Sequence, residues 1–565
     1  MGRYKRLSLN IGIAAVLMMW MTYAGLNGSG MAAEKKAPEK KAPEKAAPAK
    51  PQEKVHTGWE LIFAVAEAPP SFDGHRETTF AMLHPTAPHY STLLRFDPQN
   101  YPKIVGDVAE SWTVSKDGLI YTFKIRKGIK FHDGSPLTAK DVKATYDKII
   151  FPPEGVASAR KASYAVVTAV GLPTGFGETP QDDYTVVFRL KHPSASFLAN
   201  LASPWNFIYK ADILAKDPRW YEKNIMGSGP FAFGEYVPGS QWVGKKNPNY
   251  YMKNRPYLDG YRAIFIKDTS PRVAAIRSGQ ALIEFRGFNP AARDDIVKAL
   301  GDKVTVQESP WTCNLTVAIN NEKKPFDDPR VRRALTLAID RWEASKALSQ
   351  ISLMKFVGGL FRPGSEFATP EAELTKLAGF GKNIEAARKE ARRLLKEAGV
   401  PEGFSFTLKN RNVREPYEVT GVFVIDQWRQ IGLNVTHLPQ EGGPYFGDFR
   451  QGNFDTGIDF ACDFMDEPDT QFLKFISSDK SPINYARYKD SVLDDLYEKQ
   501  GRTTNTKERL KLLRQFENRV LDEQAYQFHV LWWQRIIPHH AKVKGWKITP
   551  NHYVNQDLRD VWLAE

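Results

Sequence analysis

The sequence contains no H-E-x-x-H, no G-x-S-x-G and no G-x-G-x-x-G. It lacks the spacings with which zinc peptidases, serine hydrolases and dinucleotide enzymes assemble their reacting groups. Basic blocks are missing beyond the amino terminus. Of the net charge of +13, Arg3, Lys5 and Arg6 supply +3, and residues 34–54, with seven Lys and four Glu, another +3. The remaining +7 is dispersed over residues 55–565, which is not the footprint of a nucleic-acid surface, so no such partner is expected. The apolar run Ile11–Leu26 has 16 residues, short of the ~20 that cross a bilayer. Cysteine is down to two, Cys313 and Cys462. In an exported chain such a pair is a candidate disulfide; in the cytosol it reads as two buried thiols. A bridge closing about 150 residues contributes ~4–5 kcal/mol at most in the chain-entropy model.

The amino terminus is basic, then apolar, then small: MGRYKR, Ile11–Leu26, and NGSG at 27–30. That is the order of a secretory signal, and cleavage after Ala32, with Gly30 two positions earlier, meets the small-residue requirement. A retained signal anchor is the alternative; either way the chain leaves the cytoplasm, and the periplasm is the expected location. No cysteine stands near the boundary, so lipid anchoring is not expected. Residues 34–54 (EKKAPEKKAPEKAAPAKPQEK) carry no large apolar side chain; they bury no core and form a stiff tether. The remainder is globular in composition, the whole chain being 42% apolar and 12% aromatic, and long enough for two or more domains.

Past Gly58, short strands mix with helices. GLIYTFKIR (118–126) and DYTVVFRL (183–190) alternate as strands do. FHDGSPLTAKDV (131–142) places His132 beside Asp133, which invites a catalytic reading. Yet Asp133-Gly134 is a turn dipeptide, and Thr138 stands three residues before Asp141 in capping-box spacing, so a turn and a helix start are expected. Val142, Tyr146 and Ile149 then share one helical face. Helices are also expected over 327–348, where Pro329 follows a capping Asp, over 383–399 from Asn383 to a Gly stop, and over 506–524. Strands and helices do not alternate strictly, so the fold class is α/β, mixed with α+β, with several sheets.

GSQWVGKK (239–246) has the G-x-x-x-x-G-K core of a phosphate loop. Lys246 replaces the magnesium-holding Ser or Thr, and KNPNYY opens no helix, so a hairpin turn is expected. His84, His89, His539 and His540 lack the partners of a metal site. DFMDEPD (463–469) has four carboxylates without the D-x-D-x-D-G order of an EF-hand. No metal and no cofactor are expected. Read plainly, DFMDEPD is a solvated loop. Read functionally, Phe464 and Met465 set among fixed charges suit a cleft for a charged organic ligand.

Five blocks resemble, in order, the family 5 extracytoplasmic solute-binding proteins of ABC importers, the group of oligopeptide, dipeptide and nickel binders. They are VAESWTVSKDGLIYTFKIRKGIKFHDGSPLTAKDV (108–142), GSGPFAFGEYVPGSQWVGKKNPNYYMKNRPYLD (227–259), NNEKKPFDDPRVRRALTLAIDR (320–341), FDTGIDFACDFMDEPDTQF (454–472) and QRIIPHHAKVKGW (534–546). The resemblance covers roughly residues 60–545. It implies a two-lobed, hinged flytrap fold: signal peptide 1–32, linker 33–56, lobe I over 57–312 with an extra subdomain near 97–215, lobe II over 313–527, and a return to lobe I over 528–565. The crossings fall near Asn314–Asn320 and Phe528–Trp533. A ligand held between the lobes stabilises their closed state, which docks on the membrane permease. It implies no catalysis and a monomer.

The resemblance is to oligopeptide-binding members at both cysteines, which implies a Cys313–Cys462 disulfide. Those members carry, two residues after the second cysteine, an Asp that pairs with the ligand's α-ammonium; here that position is Phe464. The ligand implied is a peptide or peptide-like solute, with an opine, a nickel chelate or another organic ion on the same fold as the alternative. An exported hydrolase is the reading from another class, but only scattered acids are present for it. The candidate contacts are Trp311 and Phe464 as apolar walls, Asp463 or Asp466 as the polar partner, and Arg286 for a ligand carboxylate; an ordinary surface arginine is the plain reading of Arg286.

Overall fold

The computed structural model describes residues 54–172, 182–463 and 465–565. The expected signal, nearly all of the tether and Phe464 lie outside the described residues. The expectations for local structure are met where the signal is local. Thr138 caps the helix Ala139–Ile150 in a reciprocal box with Asp141, its N–H donating to the Asp141 carboxylate at 2.8 Å. Val142, Tyr146 and Ile149 are buried on one face. Asp133 closes its turn by accepting from Ser135 N at 3.0 Å and pairs with Lys210 at 2.6 Å. The His132 ring meets the Gly229 carbonyl at 3.2 Å and lies edge-on to His89. The residues that looked most like an active site are scaffold. Residues 239–246 belong to a hairpin of Phe231–Val237 and Gln241–Lys246, with Gly239 at φ 71° in the turn.

One helix departs from expectation. The stretch 327–348 forms two helices, Pro329–Leu337 and Arg341–Ile351. Asp340 leaves helical geometry at ψ 88°, and its side chain accepts from Glu343 N at 2.9 Å. An internal N-cap therefore starts a second helix inside an unbroken apolar period.

The fold has two lobes, each built on a mixed sheet. In the first, Glu60–Val65 runs parallel to Gly260–Phe265 and Ile283–Glu284, and Gln241–Lys246 and Phe231–Val237 complete the order. The second is six-stranded, in the order Met354–Phe356, Gln527–His540, Val304–Ile319, Thr456–Cys462, Ser405–Arg411, Asn434–Gln440. A subdomain on the first lobe has an antiparallel sheet of Ala109–Val114, Ile120–Ile125, Thr185–Leu190 and Val167–Gly171, with a core of its own that includes Phe123, Tyr146 and Phe188.

Two long strands join the lobes. Val304–Ile319 and Gln527–His540 pair antiparallel over their lengths, from Val304↔His540 to Ala318↔Gln527. Residues 311–319 are buried without alternation, as expected of a strand covered on both faces. Between Pro310↔Gln534 and Asn314↔Trp532 the register slips: four steps on one strand oppose two on the other. Pro310 offers no N–H to the ladder, and Trp311, Thr312 and Cys313, set against Trp533 alone, form a bulge with two surplus residues, a device that re-aims side chains.

Candidate functional site

The bulge lies against the first lobe: Trp311 contacts His552, which itself meets Phe80 and His84 of that lobe. Trp311 is buried, its Nε1 donating to His552 Nδ1 at 3.1 Å, and its ring lies edge-on to Trp533 at 5.5 Å. His552 accepts that bond in its neutral form, which burial enforces by holding its pKa well below 6.5. Cys313 stands directly opposite Cys462 on the neighbouring strand, and the two are bonded, as the resemblance implied. Next to the bridge, Asp463 N donates to Thr312 O at 3.1 Å and Thr312 Oγ1 to Asp463 O at 2.8 Å. Bridge and paired hydrogen bonds fix where the acidic loop leaves its strand.

Three charged groups stand at carboxyl ends of strands, where open α/β sheets present ligand-binding groups. Arg286 follows Ile283–Glu284, Arg411 ends Ser405–Arg411, and Asp463 follows Thr456–Cys462. The turn carrying Arg286 is held from two sides. Buried Glu284 accepts from Arg286 N and Gly287 N at 3.3 and 2.7 Å, and fully buried Arg535 donates to the carbonyls of Phe285, Arg286 and Thr549. Gly287 is required there: at φ 125° an added Cβ would stand 3.0 Å from Ile536 O. The exposed Arg286 guanidinium lies over the Phe80 ring at 4.7 Å. On the facing lobe, Arg411 lies over Tyr417 at 4.6 Å and donates to its hydroxyl at 2.9 Å. Tyr417 in turn packs against Phe460 and Trp533.

The acids of 463–469 are placed differently from one another. Asp466 is buried and takes two bonds from Arg362, at 2.8 and 2.7 Å. Glu467 pairs with Arg509, and Asp469 accepts from Ser196 and Gln500. Asp463 has no side-chain hydrogen bond among the described residues, and enclosure by protein pushes its carboxyl up to about 7. Trp311 and Asp463 therefore stand together beside the disulfide, Arg286 follows a strand of the first sheet, and the Asp466 carboxylate is engaged by Arg362 inside its own lobe. Sequence reasoning missed Arg411 and Tyr417; the available signal was a charged residue ending the strand SFTLKNR. Among the described residues no group of three or more His, Cys, Asp or Glu is placed to hold a metal.

The geometry agrees with what the chain resembles. Residues 103–482 match the model of bacterial extracellular solute-binding proteins, family 5 Middle. The dipeptide-binding protein of Escherichia coli is 27% identical over 88% of this chain and 94% of its own. The oligopeptide-binding protein AppA of Bacillus subtilis is 26% identical over the full length of both. Among solved structures, the periplasmic binding protein DppA of Helicobacter pylori, in complex with the peptide STSA, superposes with a TM-score of 0.71 at 25% identity, over 90% of this chain and 99% of that one. With more than half its length inside the family model, the chain belongs to the bacterial extracellular solute-binding proteins of family 5.

Proposed function

We propose that this protein captures a peptide or peptide-like solute between its lobes in the periplasm and hands it, as a monomer, to the permease of an ABC importer. The observation that carries the reading is the aromatic cluster of Trp311, Trp533 and Tyr417 at the bulged crossing strands, with Arg286, Arg411 and Asp463 near it, none of which has an ion-pair partner among the described residues. Apolar walls with a few placed polar groups are what a small-solute site needs. The names of the dipeptide- and oligopeptide-binding relatives favour a peptide over another organic ion. In this reading lobe I spans 57–312 with its subdomain near 97–215, lobe II spans 313–527, and 528–565 returns to lobe I. Trp311, Phe464, Asp463 and Arg286 touch the solute, while Asp466 serves by fixing the loop that carries Asp463 and Phe464. Closure follows because a solute touching both lobes stabilises only the closed state.

The test is native mass spectrometry of protein purified from the periplasm. A co-purifying solute, released on unfolding and containing amide-linked amino acids, is the expected result. Turnover of a peptide mixture by the pure protein would overturn the reading in favour of a hydrolase.

A further inference from the structure

Of the charged side chains placed near the bulge, Arg286, Arg411 and Asp463 have neither an ion pair nor, for Asp463, a side-chain hydrogen bond among the described residues. Asp459 is paired with Lys474. Glu415 accepts from Asn289 across the gap at 3.1 Å. Glu284 is used by two backbone N–H groups, and Asp466 is held by Arg362. Among the described residues Asp463 has no side-chain hydrogen bond or ion pair, and burial disfavours its ionised form. Against it stand Arg286 and Arg411, neither with a carboxylate partner among the described residues. Arg286 rests on Phe80. Arg411 donates one N–H to Tyr417, and its Nε is buried without a partner. Burial raises the pKa of the Tyr417 phenol, and the guanidiniums of Arg411 and Arg286 both work against that shift although they come from different lobes. Each guanidinium is a planar fork lying on an aromatic face, which holds the plane while leaving edge N–H groups for an acceptor.

Building on the solute-binding reading, we infer that the site selects solutes of net negative charge, and that Arg286 and Arg411 close from opposite lobes on their carboxylate groups over Tyr417. A free cationic solute meets two guanidiniums and one reluctant acid, whereas an acidic one finds two charge-assisted forks made ready before it arrives. Because one fork comes from each lobe, the anion also bridges the gap and contributes to closure.

The test has two arms on the full exported protein. The net charge of any co-purified solute is read by mass spectrometry. Affinities of ligand-stripped protein are then measured by calorimetry for Asp-Glu and N-acetyl-Glu, with Ala-Ala and Lys-Lys as contrasts. Acidic solutes are expected to bind best, with R286Q and R411Q each weakening them about 10–100-fold and R411K falling between, while thermal unfolding stays unchanged. A neutral or cationic co-purified solute, preference for Ala-Ala or Lys-Lys, or variants within twofold of the parent would overturn the inference and leave the solute-binding reading standing. Failure of every probe to bind, with no solute released, would overturn both.

Discussion

Replacing Asp466 with alanine is expected to unsettle the fold while leaving the solute's direct contacts in place. The Asp466 carboxylate and Arg362 guanidinium meet through two parallel bonds of 2.8 and 2.7 Å, with side chains 4% and 5% exposed. Removing one member of such a pair leaves the other charged and out of water, at a cost of ~3–5 kcal/mol. The remaining Arg362 bond, to Pro363 O at 3.0 Å, is a single neutral acceptor and cannot replace a carboxylate. Asp466→Asn keeps the shape and one acceptor, so it should fall between. The double variant D466A/R362M should recover most of the loss, because no buried charge is left. Urea midpoints of the four proteins, read beside calorimetric affinities for one bound peptide, separate brace from contact. If D466A unfolds at the parent midpoint yet binds tenfold more weakly, Asp466 touches the solute and the bracing role is wrong.

Replacing both Cys313 and Cys462 with serine opens a loop spanning 149 positions and should lower stability by up to ~4–5 kcal/mol; reductant should then shift the parent's urea midpoint and not the variant's. The Asp463 carboxyl, raised in the fold from 3.8 to about 7, ionises more readily unfolded than folded, so stability should decline as pH climbs from about 4 through 7. Asp463→Asn should flatten that decline in urea midpoints taken between pH 4 and 8, with Glu467, likewise raised to about 7, retaining the rest. His132→Ala removes one contact to Gly229 O and should leave peptide affinity within twofold by calorimetry.

What the sequence made legible is set by range. The capping box at Thr138, the proline after Asp328, the Asn383 cap and the 239–246 hairpin are each decided within a few residues, and each appears as expected. The break at Asp340 was local too, but an uninterrupted apolar period masked it: the helical pattern runs through the cap because both helices bury the same side. The family blocks supplied the rest of the architecture, the disulfide included. Nothing within a few residues of Asp466 identifies Arg362, 104 positions away, as its partner.

That distance decides how the acidic loop works. From sequence the four carboxylates read as a solvated loop or, with Phe464 and Met465 among them, as part of a cleft for a charged ligand. In the fold Asp466, Glu467 and Asp469 turn towards Arg362, Arg509 and Ser196, and buried Met465 joins the subdomain core. The loop is therefore a strap that grips the six-stranded lobe by ion pairs and the subdomain by an apolar side chain. Among the described residues Asp463, at the loop's anchored start beside the disulfide, is the one acid of the four whose carboxylate has no hydrogen-bond or ion-pair partner. Such a strap joins parts of both lobes, so a solute contact at its anchored end acts on the segment that holds them together. Most of the loop's charge is spent on holding it, and in the proposed reading recognition falls to Arg286, which the sequence offered as a candidate, and to Arg411, which it did not.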